Sequence, residues 1–174
     1  MTGTDDNGCV NTDDVTVIVN PAPPIDAGAD VAVCNGDAVI LTGVGAGVGG
    51  DYVWSGGVLD GGAFVPTATT TYTVTGTDEN GCVSTDDVTV TVNGLPEVVF
   101  STDDLLGCAP YEVQFNTSSP GASFEWHFGD GSTSTAENPL HVYLTEGLFD
   151  VTLTITSAEG CVTTVMYGDY VEVY

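Results

Sequence analysis

Wherever this chain shows a pattern, apolar and polar residues alternate with a period of two. Phe124, Trp126 and Phe128 interleave with Glu125 and His127, and Val151, Leu153 and Ile155 interleave with Thr152, Thr154 and Thr156. That period places successive side chains on opposite faces, so each segment predicts a β-strand with one dry and one wet face. Gly129-Asp130-Gly131 ends the first segment in a turn, because glycine accepts positive φ and aspartate bonds its own backbone. Shorter strands are predicted at residues 30–34, 51–55, 72–75, 98–101, 111–115 and 170–174. Residues 38–42 also read as a strand, but Val39, Ile40 and Leu41 are all apolar and leave its inward face unassigned. Trp54 and Trp126 are expected to fill cores. No segment carries the 3.6 periodicity of an amphipathic helix, and none approaches the run of about eighteen apolar residues that a membrane-spanning helix needs. The expectation is an all-β chain that does not insert in a membrane.

The stretch from Thr2 to Asn20 recurs from Thr75 to Asn93, differing only at Asp6/Glu79, Asn11/Ser84 and Ile18/Thr91. A repeat at this offset suits one small β-sandwich per copy. The organisation expected is therefore 1–20, the closing hairpin of a preceding repeat; 21–93, a complete repeat; and 94–174, a second type of domain. Pro21-Ala22-Pro23-Pro24 and Asn93-Gly94-Leu95-Pro96 serve as linkers. Met1 leads straight into the repeated motif without a basic segment, so the chain reads as a window on a longer protein whose targeting signals lie elsewhere.

Three motifs stand in order in the last domain: Trp126-His127-Phe128-Gly129-Asp130-Gly131, then Asn138-Pro139-Leu140-His141-Val142-Tyr143, then the glycine-led strand from Gly147. Together they resemble the PKD domain, an immunoglobulin-like β-sandwich, with His127 at a place where the family usually has aspartate. The resemblance implies tandem immunoglobulin-like β-sandwiches and a non-catalytic spacer or binding module of a large surface protein. It also makes Trp126, Gly129, Asp130, Gly131, His141 and Tyr143 structural motif residues, with Trp54 as the counterpart of Trp126 in the repeat before. The unit at 21–93 carries Tyr52-Val53-Trp54-Ser55, the run Thr69 to Thr75, and Asp78-Glu79-Asn80-Gly81-Cys82. It is similar to immunoglobulin-like repeats of secreted gliding and adhesion proteins exported by the type IX system of Bacteroidota. That resemblance implies an extracellular stalk or adhesive filament whose partners are neighbouring domains of the same chain, with surface glycans or proteins as further ligands. An accessory, glycan-binding module of a polysaccharide-degrading enzyme and a self-assembling surface layer are the alternatives.

Charge narrows the partners. The chain has no lysine and no arginine against 25 aspartates and glutamates, for a formal net charge of −25. Both halves share the acidity, so it is not a tail. Phosphate backbones and anionic membrane surfaces are repelled, which excludes ordinary nucleic-acid binding. Apart from His127 and His141, no side chain can pair with a carboxylate. Each carboxylate must meet water, a backbone N–H, a hydroxyl or a dissolved cation. Calcium is the cofactor to consider, with Asp78-Glu79, Asp103-Asp104, Asp5-Asp6, Asp13-Asp14 and Asp86-Asp87 as oxygen donors, but no calcium-loop spacing accompanies them. Solvated turns explain these clusters as well. Zinc on His127, His141 and Asp130 is a weaker candidate, because metal sites usually bring a denser ligand set. No nucleophile elbow, phosphate loop or zinc-protease motif is present, so no catalytic residue is expected. Trp54, Trp126, Tyr52, Phe115 and Phe149 form either a sugar platform or core, and their period-two placement favours core.

Five cysteines fall into two positional classes. Cys34 and Cys108 lie between the first two strands of their units, whereas Cys9, Cys82 and Cys161 follow the last hairpin turn. Pairing within each unit joins Cys34 to Cys82 and Cys108 to Cys161. However, an intervening strand of about eight residues separates those turns by roughly 25 Å, and a disulfide needs Cα atoms within about 7 Å. Tandem stacking offers Cys34 with Cys161 instead, leaving Cys9, Cys82 and Cys108 to neighbours outside the sequence. On this strand-order argument the cross-domain Cys34–Cys161 bond is the expected one.

Overall fold

A computed structural model describes all residues from Met1 to Tyr174. The chain is all-β and consists of immunoglobulin-like sandwiches, with one short 3-10 turn at Ser55–Gly57. It divides into two compact units. The first comprises Met1–Ala29, Ile40–Ala63 and Tyr72–Val88, and the second comprises Asp30–Val39, Phe64–Thr71 and Thr89–Tyr174.

The strands of the N-terminal half are β1 (Thr2–Thr4), β2 (Val10–Thr12), β3 (Val31–Cys34), β4 (Val39–Ile40), β5 (Asp51–Trp54), β6 (Ala63–Phe64), β7 (Thr70–Thr77) and β8 (Val83–Asn93). β1 and β2 form an isolated antiparallel hairpin, Thr2 opposite Thr12. Asp5 Oδ1 holds its turn by accepting the N–H groups of Asn7 and Cys9 at 2.9 and 2.8 Å. β5 pairs antiparallel with β7, Trp54 opposite Val74. β3 runs parallel to the end of β8, Val31 opposite Val90 and Cys34 opposite Asn93. At residues 38–42 the strand is the two-residue β4, in which Val39 is buried and Ile40 is 61 % exposed, and Leu41, just after it, is buried. Burial and not composition therefore settles its faces.

In the first unit, Trp54 is 4 % exposed and its indole N–H donates to Asp60 Oδ1 at 2.8 Å. The same oxygen accepts the Gly43 N–H at 2.7 Å, and Tyr52 Oη accepts the Ala46 N–H at 3.0 Å. The glycine-rich loop beginning at Gly43 is thus pinned by side chains. Gly45, at φ +101°, has no space for a Cβ, which would fall 1.9 Å from the Pro24 carbonyl oxygen.

The C-terminal strands are β9 (Phe100–Thr102), β10 (Leu106–Gly107), β11 (Tyr111–Thr117), β12 (Ser123–His127), β13 (Thr133–Ser134), β14 (Leu140–Tyr143), β15 (Gly147–Thr156) and β16 (Val162–Val173). They form one five-stranded sheet in the order β10-β16-β15-β12-β13 and one three-stranded sheet in the order β14-β11-β9. The alternating apolar residues meet between them: Phe100, Val113, Phe115, Trp126, Phe128, Tyr143, Val151, Leu153, Ile155 and Val171 are all 4 % exposed or less. Trp126 sits edge-on to Phe100 at 5.1 Å and packs against Phe115 at 5.5 Å. The outward set of β15, Thr152, Thr154 and Thr156, is half-exposed as its period predicts.

Candidate functional site

The sequence motifs of the second unit converge on the turn after β12. Gly129 adopts φ +84°, and a Cβ there would lie 2.6 Å from the Asp150 carbonyl oxygen and 2.9 Å from its nitrogen. Glycine is therefore required both for the backbone conformation and for the close approach of the turn to β15. Asp130 Oδ1 accepts the Ser132 N–H at 2.9 Å and the Ser132 hydroxyl, and Asp130 Oδ2 lies 2.8 Å from His141 Nε2. The imidazole stacks on Phe128 at 4.2 Å and meets Tyr143 edge-on at 4.6 Å. Tyr143, fully buried, donates its hydroxyl to the Phe128 carbonyl at 3.0 Å, and Trp126 Nε1 donates to the Ala136 carbonyl at 3.0 Å. Asn138 Oδ1 accepts the Thr117 N–H at 2.7 Å, and the Pro139 carbonyl accepts the Phe115 N–H at 2.9 Å. Each motif residue thus ties one strand connection to another.

The electrostatics agree with a structural role. Burial alone would raise the Asp130 carboxyl, but the two hydrogen bonds from Ser132 and the neighbouring His141 outweigh it and hold it below the usual carboxylate range. Burial, reinforced by the Asp130 charge, pushes the Tyr143 hydroxyl far above its ordinary value and keeps it a neutral donor. Ser132, His141 and Asp130 include the residue types of a hydrolytic triad. The arrangement cannot relay a proton, however, because Ser132 Oγ (3.3 Å) and Asp130 both meet the same nitrogen, Nε2. A relay needs serine and aspartate on opposite ring nitrogens.

The second focus is covalent. Cys34, at the end of β3, and Cys161, just after the turn that ends at Gly160, are joined by a disulfide with Cα atoms 5.6 Å apart and a sequence separation of 127. Cys161 is fully buried and Cys34 half-buried. Cys9, Cys82 and Cys108 are free, so the alternative pairs Cys34–Cys82 and Cys108–Cys161 are absent. The Cys82 thiol makes only a long contact, 3.8 Å to the Asn20 carbonyl.

The metal candidates are not brought together. No group of three or more histidine, cysteine, aspartate or glutamate side chains is placed to hold an ion. His127 stands by Glu125 at 3.4 Å, apart from the Asp130–His141 pair, so the three zinc candidates do not form one site. Asp78 Oδ1 is occupied by the N–H groups of Asn80 and Cys82, its neighbour Glu79 is exposed, and Asp86 Oδ2 accepts the Ala27 N–H at 2.8 Å. Asp103 and Asp104 border an open cavity of about 240 Å³ with Tyr111 and Glu112. Burial and then the Asp104 charge raise the Tyr111 hydroxyl. The sugar-platform candidates Trp54, Trp126, Phe115 and Phe149 are core residues, 9 % exposed or less, and only Tyr52 is half-buried. Sequence reasoning missed Asp60, Asn138 and Ser132 because their partners are defined by tertiary contact, though Asn138 lies inside a quoted motif.

Residues 93–173 match the PKD domain family. The PKD part is similar to a microbial collagenase of Vibrio alginolyticus, at 37 % identity over 82 residues covering 44 % of this chain and 10 % of that protein. It is also similar to collagenase ColA of Bacillus cereus, at 38 % identity over 60 residues covering 31 % of this chain and 6 % of that protein. The chain therefore spans a tenth or less of those relatives. Among solved structures, the PKD1 domain of the Vibrio cholerae metalloprotease PrtV aligns at 28 % identity with a TM-score of 0.39, covering 45 % of this chain and 98 % of that domain.

Proposed function

We propose that this segment is a non-catalytic spacer in a secreted, multidomain protein, holding a binding or catalytic element at a distance from its anchor. The observation that carries the reading is the Cys34–Cys161 disulfide, which joins the end of β3 to the turn before β16 within the second unit and closes the intervening chain into a covalent loop. A structural disulfide also fits an oxidising, extracellular setting. The convergence of the motif residues on one another supports the same reading, since Asp130, His141, Tyr143 and Trp126 bond each other and the backbone.

The spacer's owner is either an adhesive stalk or a secreted enzyme, and the similarity to collagenases favours the enzyme. Co-sedimentation of the whole chain with insoluble collagen, cellulose and chitin tests the spacer role. A spacer stays in the supernatant with every matrix. Saturable depletion by collagen or a polysaccharide overturns the reading and makes the segment a binding module.

A further inference from the structure

We infer that the Cys34–Cys161 bond is a redox-gated stop on mechanical extension, which withholds the chain between the two cysteines from tension carried along the backbone. The inference rests on the spacer reading for the origin of the tension, but its physics depends on connectivity alone. A force applied at the two ends enters through Met1 and Tyr174 and follows the continuous covalent path. That path runs from residue 1 to Cys34, crosses the disulfide to Cys161 and leaves through β16. The sequence separation of 127 lies off this path, so about 420–460 Å of contour length stays hidden while the bond is intact, at 3.3–3.6 Å per residue.

The placement of the cysteines matters as much as their pairing. Most of the aromatic and aliphatic core, from Val98 through Ile155, belongs to the protected loop, and only Val171 and Val173 of the core lie on the loaded strand β16. β16 is held antiparallel by β15 along most of its length and parallel by β10 at Leu106 and Gly107. At the other end, the four residues of β3 run parallel to β8, so pulling there shears that pairing before it reaches Cys34. Tension therefore acts on the edge strand β3 and on β16, which is paired on both sides, and then meets a covalent bond.

The gate opens by thiol–disulfide exchange. A dithiol reductant attacks one sulfur as its thiolate, forms a mixed disulfide with that cysteine and releases the other as a thiol. Its second thiol then closes the reductant's own disulfide. Two electrons and two protons pass to Cys34 and Cys161, and the dithiol is oxidised. Cys161 is fully buried, so attack falls on the Cys34 side.

The test is single-molecule stretching of the whole chain between terminal handles, with and without dithiothreitol, alongside Cys34→Ser. The oxidised chain should stop at about 160 Å of extension, which is the sum of the two flanking segments at full stretch. Dithiothreitol should add about 420–460 Å in unfolding steps, and Cys34→Ser should show that added length without reductant. Oxidised molecules that extend far past the stop, or a total length that reductant leaves unchanged, would overturn the inference. The unmodified protein with reductant is informative even if the serine variant folds poorly. Matrix binding in the co-sedimentation assay would sink the spacer reading while leaving this mechanical result intact.

Discussion

Gly129 meets two demands that no other residue satisfies together, positive φ and a backbone neighbour within reach of any added Cβ. Gly129→Ala should lose about 2–4 kcal/mol, combining left-handed strain with overpacking against β15; urea unfolding measures it, and a loss below 1 kcal/mol would mean that the turn moves freely. Asp130 makes a pH prediction whose sign follows from its depressed folded value. Its contribution is complete above the unfolded carboxyl value near 3.9 and disappears as pH falls through the lower folded value. Asp130→Asn should therefore be less stable than the parent at pH 7, with the gap closing below about pH 4, and parallel thermal melts across pH would expose a constant gap. The turn at Gly129-Asp130-Gly131 was readable from residue type alone. That His141 closes it was not, because the two side chains are brought together by the return of β14 and nothing local in the sequence encodes the contact.

Among the elements, β4 shows where pattern reading stops. Three apolar residues in a row carry no alternation, yet the chain buries Val39 and, just past the strand, Leu41, and turns Ile40 outward. Leu41→Ala should accordingly cost about 2–5 kcal/mol, whereas Ile40→Thr should stay within about 0.5 kcal/mol; comparable losses for the two would contradict the assigned faces. The long strands β15 and β16 were legible because Thr and Val or Leu alternate cleanly. Their irregularity was not. The register shifts between Phe149 and Val151, where Asp150 Oδ1 accepts the Asp169 N–H at 2.7 Å and Asp169 takes φ +49°. A bulge of this kind depends on which residue stands opposite, and a single strand's pattern carries no such information.

For the molecule as a whole, the absence of lysine and arginine sets the response to solvent. A net charge of −25 without compensating cations leaves mutual repulsion that folding must overcome. Raising sodium chloride from about 0.01 to 0.5 M shortens the screening length from about 30 Å to below 8 Å. The melting temperature should rise, by about 2–4 °C for each kcal/mol of repulsion relieved. Calcium chloride at matched ionic strength should add nothing further, since no three-ligand cluster is present; a calcium-specific increment in calorimetry would contradict that. The sandwich class was legible throughout the chain because period-two patterning and turn chemistry agree. For the cysteines, strand order favoured Cys34 with Cys161 over its alternatives, but positional class alone did not decide it, because only the fold brings two sulfurs together.

The repeated hairpin gives the protein an internal reference for hydrogen exchange. Thr12-Asp13-Asp14-Val15-Thr16-Val17 and Thr85-Asp86-Asp87-Val88-Thr89-Val90 have the same sequence, but Val15 and Val17 are 85 % and 77 % exposed while Val88 and Val90 are 1 % and 0 % exposed. Intrinsic amide exchange is set by local sequence, so the two stretches share one unprotected rate to a good approximation. The ratio of their deuteration rates then reports directly what tertiary structure contributes to the second copy. Residues 15–17 should exchange within the dead time of a manual experiment and residues 88–90 should remain protected for far longer, which makes one copy the built-in unfolded control for the other.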